Sequence, residues 1–208
     1  MENLALGCVP STLDGSEYIF GTSYEATIPE EYSYVDVMPP VLNQGSAQIC
    51  VPCTVSSYLN WKENLKTGSK DDINIKLYDI YGSRTNHGEG MTYKDALRFL
   101  NKTGVRSDNG ILTIKSYGMV TNPLLLKSAL IMNGPCFGAL PVYSTNCDFW
   151  RRGANRNLQG YHAIAIVGYN KDGFIIRNSW GRSFCHKGYT TIPYDEFNTL
   201  IEIWTVME

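Results

Sequence analysis

A cysteine, Cys50, closes the glycine-containing loop Asn43-Gln44-Gly45-Ser46-Ala47-Gln48-Ile49 and is followed by Val51-Pro52-Cys53. Pro52 suits a helix only in its first turn, where its missing N–H costs nothing, so a helix starts close to Cys50. A thiol there meets unpaired N–H groups and the positive end of the helix dipole, which favour the thiolate. A nucleophilic cysteine needs a base, a group that orients the base, and donors for an oxyanion. The 208-residue chain has only three histidines. His87 lies in a loop at 86–90, His186 sits beside Cys185 and Lys187, and His162 opens an apolar run. A hairpin turning near Asn170 sets Asn178 opposite His162, with Cβ atoms about 5 Å apart. Asn178 can then accept the imidazole N–H and fix its tautomer. Gln44, in the loop before Cys50, can join the Cys50 backbone N–H as an oxyanion hole. A strand-end asparagine and a polar loop glutamine are the plain alternatives for these two.

The elements that must hold these residues follow from periodicity and punctuation. Residues 1–40 read as irregular, with strand-like runs at 18–20 and 34–37. Val51, Val55, Tyr58, Leu59 and Leu65 recur at helical spacing and predict a helix of about sixteen residues that Gly68 stops. A helical turn is expected within 73–84. Thr92 with Asp95 opens a second helix, Tyr93, Ala96, Leu97 and Leu100 facing inward, which Gly104 ends. Asn122-Pro123 opens a third, with Leu126, Ala129 and Leu130 inward and Gly134-Pro135 as its stop. Strands are expected at 137–142, 162–169, 174–180 and 201–206, with a turn at 170–173. Helices first and an antiparallel sheet after them read as α+β, in two lobes, one helical and one β-barrel-like.

Composition narrows the function classes. A net charge of −2 gives no basic field for nucleic acid and no polybasic membrane patch. No apolar run reaches a membrane span, and the N-terminus lacks the pattern of a secretory signal, so a cytoplasmic setting is expected. The six cysteines could form three disulfides in a secreted chain; in a cytoplasmic setting they are expected to be free thiols, most of them buried.

Asn43-Gln44-Gly45-Ser46-x-x-x-Cys50 resembles the segment leading to the nucleophile of papain-like cysteine peptidases, the C1 family. His162-Ala163-Ile164-Ala165-Ile166-Val167-Gly168-Tyr169, then Ile175-Ile176-Arg177-Asn178-Ser179-Trp180-Gly181, resembles its histidine strand and Asn-Ser-Trp-Gly segment. Gly188-Tyr189 fits as well. Leu6-Gly7-Cys8-Val9-Pro10, Gly88-Glu89-Gly90-Met91, residues 126–142 and the closing Tyr194-Asp195-Glu196-Phe197 with Ile203-Trp204-Thr205 look like compact bacterial and phage-type members.

The resemblance implies one papain-like domain over 1–208, with residues 1–40 packing across the lobes. Residues 41–120 would form the helical lobe and 121–208 the β lobe, with a cleft between. It implies a cysteine endopeptidase in which Cys50 attacks, His162 is base and then acid, Asn178 orients His162, and Gln44 lines the oxyanion hole. Trp180 would shield the His162–Asn178 bond. Gly88, Glu89, Gly90, Met91, Tyr161 and Trp180 would meet a polypeptide substrate in extended form. No metal and no cofactor is implied, and the protein is expected to be a monomer.

The chain departs from the family pattern at several points. Val51 replaces an aromatic residue, Ala47 replaces a cysteine, and residues 182–187 lack a second Trp-Gly. No long inhibitory pro-segment is expected before the domain. Control is therefore expected from timing of expression, from a regulatory or inhibitory protein, or from residues 1–30 lying over the cleft. The competing readings are an acyl transferase with the same residues, a peptide-binding protein on the same fold, a redox pair Cys50/Cys53, and a zinc site from Cys50, Cys53, Cys185 and His186.

Overall fold

The computed structural model describes residues 5–21, 27–154 and 156–208. Of the irregular lead, residues 1–4 and 22–26 lie outside the described residues. In chain order the elements are β1 (Tyr32–Ser33), α1 (Cys50–Thr67), α2 (Leu77–Gly82), α3 (Tyr93–Lys102), β2 (Val105–Ser107), β3 (Gly110–Leu112), β4 (Ser116–Met119), α4 (Pro123–Asn133), β5 (Cys136–Val142), β6 (Gly160–Tyr169), β7 (Gly173–Arg177), β8 (Tyr189–Pro193) and β9 (Glu202–Met207).

The helix signals act as their chemistry demands. The Thr92 hydroxyl accepts the Asp95 N–H at 3.0 Å, and Asn122 Oδ1 accepts the Leu125 N–H at 2.9 Å, so both helices begin on side-chain caps. Gly68, left-handed at φ 70°, ends α1 by giving its N–H to the Asn64 carbonyl at 2.8 Å. α1 is buried all round over its first three turns, from Cys50 to Trp61. Leu65 lies beyond that stretch and is exposed rather than buried, because the last turn projects from the core.

The main sheet runs β4-β9-β5-β6-β7-β8, with β1 added on β6, and every ladder is antiparallel. It stays open, with β4 and β8 at its ends, so the expected barrel-like closure is corrected to an open α+β sheet. Apolar residues cover both faces. One cluster gathers Val51, Val55, Tyr58, Leu97, Ala139 and Ala163 between α1, α3 and the sheet. The other gathers Leu126, Leu130, Leu140, Ile164, Ile166 and Phe174 on the α4 side. A sheet buried on both faces explains why 162–169 is apolar nearly throughout.

Several expectations change. Residues 18–20 form no strand; Ile19 makes a single parallel bridge to Met119. Residues Val35–Val37 are a 3-10 turn. β7 stops at Arg177, whose buried guanidinium donates to the Pro39 and Pro40 carbonyls at 2.8 and 2.6 Å and to the Tyr189 hydroxyl at 2.8 Å. β8, β4 and the β2–β3 hairpin had no sequence signal that was read. Cys147 and Cys185 form a disulfide across a sequence separation of 38, whereas Cys8, Cys50, Cys53 and Cys136 are free and buried. The free-thiol expectation is thus corrected for two of the six cysteines. Such a bond persists in oxidising surroundings, against the reducing compartment expected. Among the described residues no helix is long and apolar enough to cross a membrane.

Candidate active site

Two distant stretches are zipped together to build the site. The Gln44 N–H donates to the Ser179 carbonyl at 2.9 Å, the Gly181 N–H donates to the Leu42 carbonyl at 3.0 Å, and Asn43 bridges Trp180. Ser179 Oγ donates to Gln44 Oε1 at 2.6 Å. The loop before α1 and the segment after β7 are therefore held to each other at several points. Gly45 turns the loop before α1 at φ 57°, its N–H held by Asn43 Oδ1 at 3.0 Å.

His162 is fully buried, with its Nε2 2.7 Å from Asn178 Oδ1. That oxygen also accepts the Ser179 N–H at 2.7 Å, which marks it as an acceptor. Nε2 is accordingly the ring nitrogen that carries the proton, and Nδ1, which has no partner, is left basic. The route to this contact differs from the expected register. A bulge between Ile166 and Gly168 shifts the pairing to Ala165 with Arg177, and Asn178 lies past the end of β7 with its N–H on the Gly188 carbonyl. Continuing that register puts Trp180, not Asn178, across from His162. Trp180 stacks on the imidazole at 4.4 Å and 28°.

Sequence reasoning missed the rest of this enclosure. Phe149 stands edge-on to His162 at 6.0 Å and packs on Trp180 at 5.0 Å; Phe184 meets Trp180 at 5.0 Å. The disulfide ties the loops that carry them, since Cys147 lies two residues before Phe149 and Cys185 follows Phe184. No motif joins these positions in the sequence.

Cys50 begins α1 and is fully buried. Burial pushes its thiol up to about 12, while the backbone N–H groups of Ala163, Val51 and Cys50 itself pull the other way. Ala163 adjoins His162, so the sulfur lies beside the histidine strand. Burial likewise lowers His162 to about 4, against the raising effect of Asn178. In this arrangement both groups are neutral. Unfolding frees His162 to take up a proton near its ordinary 6.5, so stability should fall as pH drops from about 6.5 to about 4, by up to about 3 kcal/mol. Urea midpoints of the wild type and of His162→Gln at pH 7 and pH 4.5 check this; the wild type should lose more on acidification.

Residues 5–11 lie along the groove beside Cys50, with Cys8 close enough for the charge of Cys50 to act on its thiol. The Ala5 carbonyl accepts from Gln44 Nε2 at 3.0 Å; the same amide donates to the Ala47 carbonyl at 2.9 Å. The Gly7 carbonyl accepts the Met91 N–H at 2.8 Å, the Val9 N–H donates to the Met91 carbonyl at 2.9 Å, and the Cys8 N–H donates to the Tyr161 carbonyl at 3.3 Å. Cys8 thus pairs parallel with Met91 and antiparallel with Tyr161. Burial raises the Cys8 thiol well above its ordinary value, with the charges of Cys50 and Glu202 adding to the shift.

Of the residues expected to meet an extended chain, Met91 and Tyr161 hold this strap through their backbones, and Glu89 and Gly90 line the groove. Gly88 does not; its carbonyl accepts from Arg84 Nε at 3.3 Å. Cys53 points into the core at 2% exposure, and Cys185 is bonded to Cys147, so neither joins Cys50 and His186 in the zinc arrangement considered above.

Residues 43–205 match the family described as "Papain family cysteine protease". The chain is 25% identical over 193 residues to cathepsin J of Mus musculus, covering 76% of this chain and 58% of that protein. It is 26% identical over 208 residues to the cathepsin B-like CP2 of Giardia intestinalis, covering 78% and 68%. The chain therefore spans somewhat more than half the length of the mouse relative. Xylellain, a cysteine protease from Xylella fastidiosa, shares the fold at a TM-score of 0.80 and 20% identity, over 99% of this chain and 96% of that one. The procathepsin B S9 of Trypanosoma congolense also has a TM-score of 0.80, at 14% identity, over 98% and 87%. With a match over most of its length and the fold to go with it, the chain belongs to the papain family of cysteine proteases.

Proposed function

We propose that the protein is a cysteine endopeptidase whose site is Cys50, His162, Asn178 and Gln44, and that residues 5–11 hold it shut at rest. One observation carries the reading. An extended piece of chain lies in the groove, its backbone paired with Met91 and one carbonyl oxygen on Gln44 Nε2. A substrate that takes this place puts its carbonyl where that amide can receive the developing oxyanion.

In the reaction His162 Nδ1 takes the Cys50 thiol proton and the sulfur attacks the peptide carbonyl. The oxyanion is held by Gln44 Nε2, freed from Ala5, and by the Cys50 N–H. The tetrahedral adduct collapses, the C–N bond breaks, and His162 gives its proton to the leaving amine. Water, losing a proton to His162, then hydrolyses the thioester to a carboxylate and restores the thiol. Asn178 keeps the imidazole in one tautomer throughout, and the Trp180–Phe149–Phe184 enclosure keeps water from the His162–Asn178 bond. An amine in place of water would make the same site an acyl transferase.

The test is labelling with peptidyl epoxides followed by mapping of the adduct. One adduct, on Cys50, is expected. Labelling spread over Cys8, Cys53 and Cys136, or none on Cys50, would sink the reading.

A further inference from the structure

We propose that the cavity between the middle of α1 and residues 39–42 is a binding site for a primary aliphatic amine, held as its ammonium ion. The cavity shares no lining residue with the groove that holds residues 5–11, and the inference does not depend on the peptidase reading.

The cavity measures about 200 Å³. Ser56, Ser57 and Asn60 of α1 line it, together with residues 39, 40 and 42 and with residues 72–75 and 77. The polar side chains of α1 turn lone pairs, not protons, to a ligand. Ser56 Oγ and Ser57 Oγ each donate to the Cys53 carbonyl at 2.9 Å, so both hydroxyl protons are committed and only acceptor capacity is left. Asn60 is 3% exposed, and its Nδ2 donates to Asp72 Oδ1 at 2.7 Å. Its Oδ1 is buried and meets no donor among the described residues. Asp72 joins no ion pair among them. A buried acceptor without a donor costs free energy, and native folds leave few of them.

The missing partner is a positively charged donor. An ammonium group carries three N–H bonds and no acceptor, which matches a carboxylate, an amide oxygen and a hydroxyl lone pair. The alkyl chain behind it suits the apolar part of the lining, Leu42, Ile73, Ile75 and Leu77. An anion would meet lone pairs and the Asp72 charge, and is rejected. A metal ion fits less well, because among the described residues no three His, Cys, Asp or Glu side chains gather to hold one. The position also ties the occupant to the candidate active site. The Pro39 and Pro40 carbonyls accept from Arg177, which precedes Asn178, and the Leu42 carbonyl accepts the Gly181 N–H. The amine thus lies where the helix that begins at Cys50 meets the segment fastened to residues 177–181.

The experiment is a ligand-observed NMR titration of the full chain with n-butylamine at neutral pH, where the amine is protonated. Saturable binding is expected, with 1-butanol and butyrate showing none. Asp72→Asn should weaken the amine by about tenfold or more. That variant removes the charge but keeps an acceptor for Asn60 Nδ2, and residue 72 is exposed, so its melting temperature without ligand should match the wild type. Nα-acetyl-lysine methylamide carries the same ammonium on a piece of backbone. The free amine should bind more tightly, because the cavity takes it whole; the reverse order would overturn the free amine as occupant in favour of a protein lysine. No saturable binding of butylamine, equal binding of butanol, or an affinity that Asp72→Asn leaves unchanged would overturn the site.

Discussion

Cys50→Ala is expected to lower peptide hydrolysis about a million-fold, to the residue of catalysis that binding and an oxyanion hole alone supply. Cys53→Ala should keep activity within a few-fold of the wild type. The two thiols are three residues apart, yet only one is in the site. Cys50 heads α1 beside the Ala163 N–H, while Cys53 is 2% exposed and gives its own N–H to the Ile49 carbonyl at 2.9 Å. Loss of the Cys53 sulfur therefore creates a small core cavity and costs about 1 kcal/mol of stability. Steady-state kinetics with a fluorogenic peptide, alongside melting curves, separates the effects. Equal loss of activity in both variants would instead favour a dithiol mechanism.

The second large effect concerns the strap. Gly7→Ala should raise the rate of Cys50 labelling by roughly ten- to a hundredfold. Gly7 sits at φ 151°, and a Cβ built there comes within 2.5 Å of the Gln48 carbonyl oxygen. Neither can yield cheaply, because the oxygen belongs to the loop that leads to Cys50. Strain of about 1–3 kcal/mol, set against a contact made only when the groove is filled, shifts the balance towards the open form by that factor. Slower labelling, or none of the expected gain, would show that residues 5–11 do not limit access. The same variant should melt at a lower temperature, since the strap's backbone hydrogen bonds to Met91 and Tyr161 are part of the resting fold.

What could be read from the residues depended on whether the interaction was local. Pro52 and Gly68 bracket α1, and the caps at Thr92 and Asn122 open α3 and α4, because each acts within one helical turn. The meeting of His162 with Asn178 was legible as well, although by the wrong geometry. An unbulged hairpin was assumed, and two departures compensate: the slip at Ile166–Gly168 and the early end of β7. The strap was legible only as an irregular lead that had to pack somewhere. Its contacts with Met91 and Tyr161 are backbone to backbone across more than eighty residues, and apart from Gly7, where a Cβ would strike the Gln48 carbonyl, they put no recognisable pattern into the sequence. The disulfide joins two loops by a spacing that matches no motif.

The strap is fastened beyond the groove too. The Phe20 N–H donates to the Met119 carbonyl at 2.7 Å, the Met119 N–H donates to the Tyr18 carbonyl at 2.8 Å, and Lys94 grips Asp14 and Glu17. A blocking peptide on so short a tether has a local concentration of about millimolar whatever the protein concentration. Dilution cannot release it, and making more protein cannot escape it. If residues 5–11 hold the site shut as proposed, a substrate must outcompete a neighbour that never diffuses away, so weak or scarce peptides would be ignored, and abundant or tightly held ones would open the site by mass action.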